Sequence, residues 1–111
     1  MRLALPTDGE KGLKDRVCEV FSKAPKITII DWDGQSHLVE VADNPAINMS
    51  QGAGPVATKI LKEKRVDVLI CGPIGIGVST ILSGYKIQHI RVEPGVKLTE
   101  AVAQIETLWN I

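Results

Sequence analysis

The sequence predicts an α/β fold: a mixed β-sheet with one antiparallel strand and helices on both faces. Three observations carry this reading. Short strand-like segments recur at Leu3–Leu5, Lys26–Ile30, Val66–Cys71 and Lys86–Val92, and Val66–Cys71 is a nearly continuous apolar run, the pattern of a strand covered on both faces. An Asp33-Gly34 turn leads from the second run into an alternating segment, Ser36–Val41, which makes that pair a hairpin. Leu98, Ala101, Val102, Ile105, Leu108 and Trp109 are spaced by threes and fours, which marks an amphipathic helix.

The first strand is closed by Pro6-Thr-Asp-Gly. Residues 7–14 are polar and form a loop. From Asp15 to Ser22, Val17, Val20 and Phe21 share one helical face, which predicts a short helix with Cys18 on its shoulder. After the hairpin, a loop runs from Asp43 to about Gln51. Pro55 suits the first position of the next helix, where its missing N–H is an orphan anyway. Val56, Ile60 and Leu61 face inward on that helix. Gly72-Pro-Ile-Gly-Ile-Gly77 turns into another helix over 76–83, ended by Gly84. The order is strand, helix, strand, strand, helix, strand, helix, strand, helix. Strand–helix repeats after a hairpin give a sheet that is parallel apart from one strand. With 111 residues and no linker or repeat, the chain reads as one domain over 1–111.

Composition narrows the function. Thirteen basic side chains balance thirteen acidic ones, so the broad basic footprint of a nucleic-acid binder is missing. The longest apolar stretch, Val68 to Val78, is broken by Gly and Pro and spans no membrane. The N-terminus lacks the pattern of a signal peptide. Two cysteines without a Cys-x-x-Cys spacing argue for a reducing, cytoplasmic setting. Aromatic residues are few, so the core is aliphatic. The charge is uneven along the chain. Residues 11–26 carry five basic against two acidic side chains, while residues 31–43 carry four acidic and no basic ones.

Candidate chemistry gathers at glycine turns. Gln51-Gly-Ala-Gly-Pro55 and Gly72–Gly77 each lead into a helix, whose first N–H groups are unpaired and carry partial positive charge. In open α/β sheets such turns collect at the carboxyl ends of the strands. This makes Gly52, Ala53, Gly54, Gly72, Gly75 and Gly77 candidates for an anion cradle, with Lys11, Arg16 and Lys23 as its basic rim; the bland alternative is ordinary strand–helix turns, which also favour glycine, beside a solvated loop. The glycine spacing matches neither a P-loop nor a dinucleotide fingerprint. Cys18 and Cys71 are expected at the same edge and are candidate soft ligands for a metal–sulfur group; the bland alternative is that each is a small buried hydrophobe. Asp8, Asp31, Asp33 and Asp67 should not converge on a metal. His37 and His89 have no ligand spacing. Ser50, Ser79 and Thr80 have no His beside them in sequence to activate them.

The motifs, taken together, resemble one family. Leu3-Ala-Leu-Pro-Thr-Asp8, Asp15-Arg-Val17, Phe21-Ser-Lys-Ala-Pro25, Gly52-Ala-Gly-Pro55 and Val66-Asp-Val-Leu-Ile-Cys-Gly72 are similar in order and spacing to the small dinitrogenase iron–molybdenum cofactor biosynthesis proteins. The resemblance implies a ribonuclease H-like three-layer fold. Its sheet has five strands in order 3-2-1-4-5, with strand 2 antiparallel. It also implies a non-catalytic carrier for an iron–molybdenum cofactor-like cluster or precursor, acting with a cofactor-synthesis or acceptor protein, with no nucleic acid and no membrane. The alternative is an enzyme or binding module for a small phosphorylated or nucleotide ligand at the same turns. The chain departs from the family pattern at Val20 and Gln51, where family members often carry His, at Ser22-Lys23, where Gly-Arg is common, and at Pro73. Cys18 and Cys71 are the substitute candidates for the missing imidazoles.

Overall fold

The computed structural model describes residues 1–108; the helical contribution expected of Trp109 lies outside them. Five strands form one sheet: β1 (Arg2–Thr7), β2 (Lys26–Trp32), β3 (Ser36–Asp43), β4 (Val68–Cys71) and β5 (Gln88–Arg91). Three helices flank it: α1 (Ala53–Glu63), α2 (Ile76–Gly84) and α3 (Leu98–Leu108). The strand order is β3-β2-β1-β4-β5. β2 runs antiparallel to both its neighbours, whereas β1, β4 and β5 are mutually parallel. The carboxyl ends of the three parallel strands therefore share one edge of the sheet.

Strand alternation sorts the core into two layers. Leu3, Leu5, Ile30, Val68, Ile70 and Ile90 face α3, meeting Leu98, Ala101, Val102 and Ile105. Ala4, Ile27, Ile29, Leu69 and Cys71 face the other way, against Ala57 and Leu61 of α1 and Leu82 of α2. Both faces of the sheet are thus covered, which explains the near-continuous apolar runs. Pro6 lies inside β1 without breaking it. The β1 groups at even positions point toward β4, and the β4 pairing stops at Ala4. The missing N–H of Pro6 therefore costs no ladder bond, and its carbonyl accepts from the Cys18 N–H at 2.8 Å.

The helix expected over Asp15–Ser22 does not form. Two 3₁₀ turns, Gly12–Lys14 and Phe21–Lys23, bracket an extended stretch. Backbone pairing across the fold overrides the local apolar spacing. The Val17 N–H goes to Val96 O, the Gly95 N–H to Val17 O and the Leu98 N–H to Asp15 O. The Asp15 carboxylate accepts from the Lys11 and Arg16 N–H groups. Val17 joins the α3 layer and Phe21 the α1/α2 layer, so the supposed stripe is divided between two cores. Two boundaries also shift. α1 starts at Ala53, which places Pro55 third in the helix, still within the turn whose N–H groups have no intrahelical acceptor. β5 starts at Gln88, because Lys86 takes φ 60° and closes α2 with its N–H on Ser83 O. Among the described residues, no helix is long and apolar enough to cross a membrane.

Candidate functional site

The carboxyl edge gathers most of the glycine turns. Gly52 precedes α1 at φ 72°, a left-handed conformation that glycine adopts without strain, and Gly75 precedes α2. Glycine at both cap positions offers no side-chain oxygen, and neither helix start receives a side-chain cap. Gly54 brings the two starts together. A Cβ there would lie 2.8 Å from Val78 Cγ2, so only glycine lets the first turns of α1 and α2 touch at this separation. Gly72 packs tightly on the turn after β5, where a Cβ would meet Pro94 Cγ at 3.0 Å. Gly75 and Gly77 have nothing within 4 Å of a Cβ position. Packing does not require glycine at those two positions, and their backbone is open to a ligand.

The wall facing these helix starts is the Phe21–Lys23 turn, held by one buried side chain. The Asn44 amide nitrogen donates to Ala24 O at 2.9 Å and to Ser22 O at 3.3 Å, and its oxygen accepts from the Ala46 N–H at 3.0 Å. Val20, Phe21 and Ser22 then line a small pocket of about 80 Å³ with Ile74, Gly75 and Val78. A wider groove of about 340 Å³ adjoins it, formed by Glu19, Val20, Pro73 and Arg91–Pro94. Exposed apolar side chains surround the opening: Val20, Met49 and, 87 % exposed, Ile76.

The two cysteines flank one contact, since the Glu19 carbonyl lies 3.6 Å from the Cβ position of Gly72. Their sulfurs have different partners. Cys18 donates its S–H to Asp8 Oδ1 at 3.2 Å. Burial, aided by that carboxylate, pushes the Cys18 thiol up. Cys71 is 1 % exposed and donates to Gly72 O at 3.4 Å. Burial pushes its thiol up to about 12. Both are free, and among the described residues no three His, Cys, Asp or Glu side chains gather to hold a metal ion.

The basic residues are dispersed. Lys23 ends the 3₁₀ turn that packs on α1. Arg16 donates to Gly95 O at 2.9 Å, beside the turn after β5. Lys11 opens the 3₁₀ turn against α3 and β3, away from the helix starts. Sequence reasoning missed Arg91 and Asn44. Arg91 stands at the carboxyl end of β5, and Asn44 lies in the Asp43-Asn44-Pro45 turn; each position was a usable signal. The four aspartates do not gather at one point, although two of them, Asp31 and Asp67, come together around Arg2. Asp31 and Asp67 meet Arg2 at the amino edge of the sheet, while Asp8 stands at the carboxyl edge. His37 is exposed beside Asp33. His89 lies in the α2–β5 groove with Ser79, but its Nε2 lies 3.1 Å from Gly72 O, where its N–H donates.

Fold and edge together define a small α/β protein with two open, glycine-led helix starts at the carboxyl ends of its parallel strands. Comparison with known proteins sharpens that class. Residues 1–108 match the family model described as dinitrogenase iron-molybdenum cofactor, and the chain belongs to that family. The apo form of the orange protein from Desulfovibrio gigas is similar over 98 % of this chain and 88 % of its own, with TM-score 0.81 and 26 % identity. An NMR structure of a candidate NifB protein from Thermotoga, of the DUF35 family, is similar over 96 % of this chain and 87 % of its own, with TM-score 0.71 and 28 % identity. The crystal structure of PH0822, with TM-score 0.78 and 21 % identity over 96 % of this chain and 92 % of its own, shares the fold. A comparison with curated proteins gives no match.

Proposed function

We propose that this chain is a non-catalytic binding or carrier protein for an anionic metal–sulfur cofactor, an iron–molybdenum cofactor-like cluster or its precursor. The observation that carries the reading is the contact of Gly54 with Val78, which sets two uncapped helix starts side by side. Their N–H groups and dipoles favour a compact anion. Membership of the family and likeness to a protein that has an apo form support the same reading. We read the fold as ribonuclease H-like, the chain as one domain over 1–111, and its setting as the cytoplasm.

Three or four charge-assisted backbone bonds give a gross gain of about 5–12 kcal/mol before desolvation and ordering are subtracted. The result is affinity in the millimolar to micromolar range, suited to transfer to an acceptor protein. Tighter retention needs a thiolate. Cys18 is the better placed candidate, since ionising a thiol of pKa about 12 at neutral pH costs on the order of 7 kcal/mol at Cys71.

The test is anaerobic titration with a thiometallate, followed by visible absorption. Gly77→Glu is the decisive variant. Its side chain meets open space, and a carboxylate in the first turn of α2 favours the helix while repelling an anion. A loss of about tenfold or more in affinity at unchanged stability is expected, equivalent to roughly 1.4 kcal/mol. Equal affinity for parent and variant would sink the cradle. Cys18→Ser separately reports whether the thiol contributes. The same backbone groups also suit a phosphate. A thermal-shift series in which nucleotides stabilise the protein and thiometallates do not would favour a phosphorylated ligand instead.

A further inference from the structure

A second groove, of about 560 Å³, lies away from this edge, between α2 and β5. Its floor is apolar, from buried Leu82, Ile87 and Ile90, and its rim carries Ser79, Ser83 and Lys86. β5 is the last strand of the sheet, with β4 on one side only. Gln88 and Val92 direct their N–H groups inward, to Asp67 O and Cys71 O. The two-residue period therefore turns the N–H and C=O groups of His89 and Arg91 outward, to the open side of the strand. No carboxylate lines the groove, and Lys86 makes no ion pair among the described residues.

We propose that this groove binds an acidic, extended peptide segment of a partner protein, added to the sheet along β5. Main-chain bonds to His89 and Arg91 would supply register, alternate side chains would settle on Leu82 and Ile87, and a flanking carboxylate would meet Lys86. The choice of an acidic partner rests on charge complementarity. The opposite edge, β3, carries Glu40 and Asp43 and a register shift opposite Ile29/Ile30, features that discourage an acidic strand there. His89 also bonds to Gly72 O, so a strand on β5 would sit one side chain away from the cofactor edge. The proposal does not rest on the cofactor reading, although Arg91 and His89 border that edge.

The test uses the full chain and a fluorescein-labelled peptide, Glu-Val-Thr-Val-Thr-Glu, read by anisotropy and by backbone amide shifts. Micromolar to sub-millimolar binding is expected, with shifts at His89 and Arg91. The counterpart with both Glu replaced by Lys should bind about tenfold weaker or worse. Lys86→Gly suits the left-handed φ of 60° and so keeps the fold; it should weaken the acidic peptide about threefold, as loss of one exposed ion pair does. The proposal is overturned by no anisotropy change at millimolar peptide, by equal binding of the lysine counterpart, or by shifts confined to other strands. Sedimentation showing β5 occupied by a second copy of this chain would overturn it as well.

Discussion

Replacing Asn44 by Ala tests the link between one buried side chain and the wall of the site. Ala24 and Ala46 are 0 % and 1 % exposed. The substitution leaves the Ala24 carbonyl and the Ala46 N–H buried without their partner, and loses the weaker bond to Ser22 O. Each unsatisfied buried group costs about 1–3 kcal/mol, so a loss of roughly 2–4 kcal/mol is expected after partial repair by water. That is a large share of a typical domain's stability of about 5–15 kcal/mol. Urea unfolding should show it as a lower midpoint at unchanged slope, and heating as a fall in Tm of roughly 10–20 °C. Asn44→Asp gives a second arm. It keeps the acceptor for Ala46 but turns an oxygen toward two carbonyls, so it should cost at least as much at pH 7 and recover part of the loss in acid. If Asn44→Ala stays within about 0.5 kcal/mol of the parent, the wall does not depend on this side chain.

Other substitutions probe other links. Gly54→Val places branched carbon where even a Cβ would lie 2.8 Å from Val78, so it should cost about 1–3 kcal/mol by calorimetry and weaken thiometallate binding together with stability. Arg65 closes α1 at φ 59°, and Arg65→Gly should raise stability by about 0.5–1 kcal/mol in urea unfolding; a loss would mean that the arginine side chain does more than the backbone implies. The raised Cys71 thiol sets an alkaline limb. The unfolded thiol ionises near 9 and the folded one near 12, so its contribution is intact below pH 9 and is lost between those values at about 1.4 kcal/mol per pH unit. Cys71→Ala should flatten the fall in stability between pH 9 and 11, and an unchanged slope there would show that the thiol is not shielded.

Much of the fold was legible because strand and helix periods differ. The runs at Leu3–Leu5 and Val66–Cys71 need cover on both faces, and the Asp-Gly turn after Trp32 allows little but a hairpin. The stretch from Lys11 to Lys23 was not legible. Its apolar spacing suits a helix, but its backbone groups find partners at Pro6 and Val96, which lie far off in sequence or across a turn. The glycines of the site were visible, but their separate reasons were not. Gly54 and Gly72 serve close packing, while Gly75 and Gly77 leave open backbone, and this distinction depends on what stands opposite each one. The placement of the basic residues was hidden for the same reason, since Lys11 and Lys23 are near in sequence but belong to turns packed against α3 and α1 respectively.

The sequence by itself determined the five strands, the three long helices, the sheet with one antiparallel strand, and the family, because these follow from periodicity, turn chemistry and local motifs. Only the tertiary structure decided where the segment after β1 runs, which side chains wall the helix starts, and that the two thiols are buried with different partners. Those features depend on contacts between residues far apart in the chain. Local propensity is worth a few tenths of a kcal/mol per residue, whereas a buried polar group left unpaired costs several times that, so long-range pairing wins wherever the two conflict.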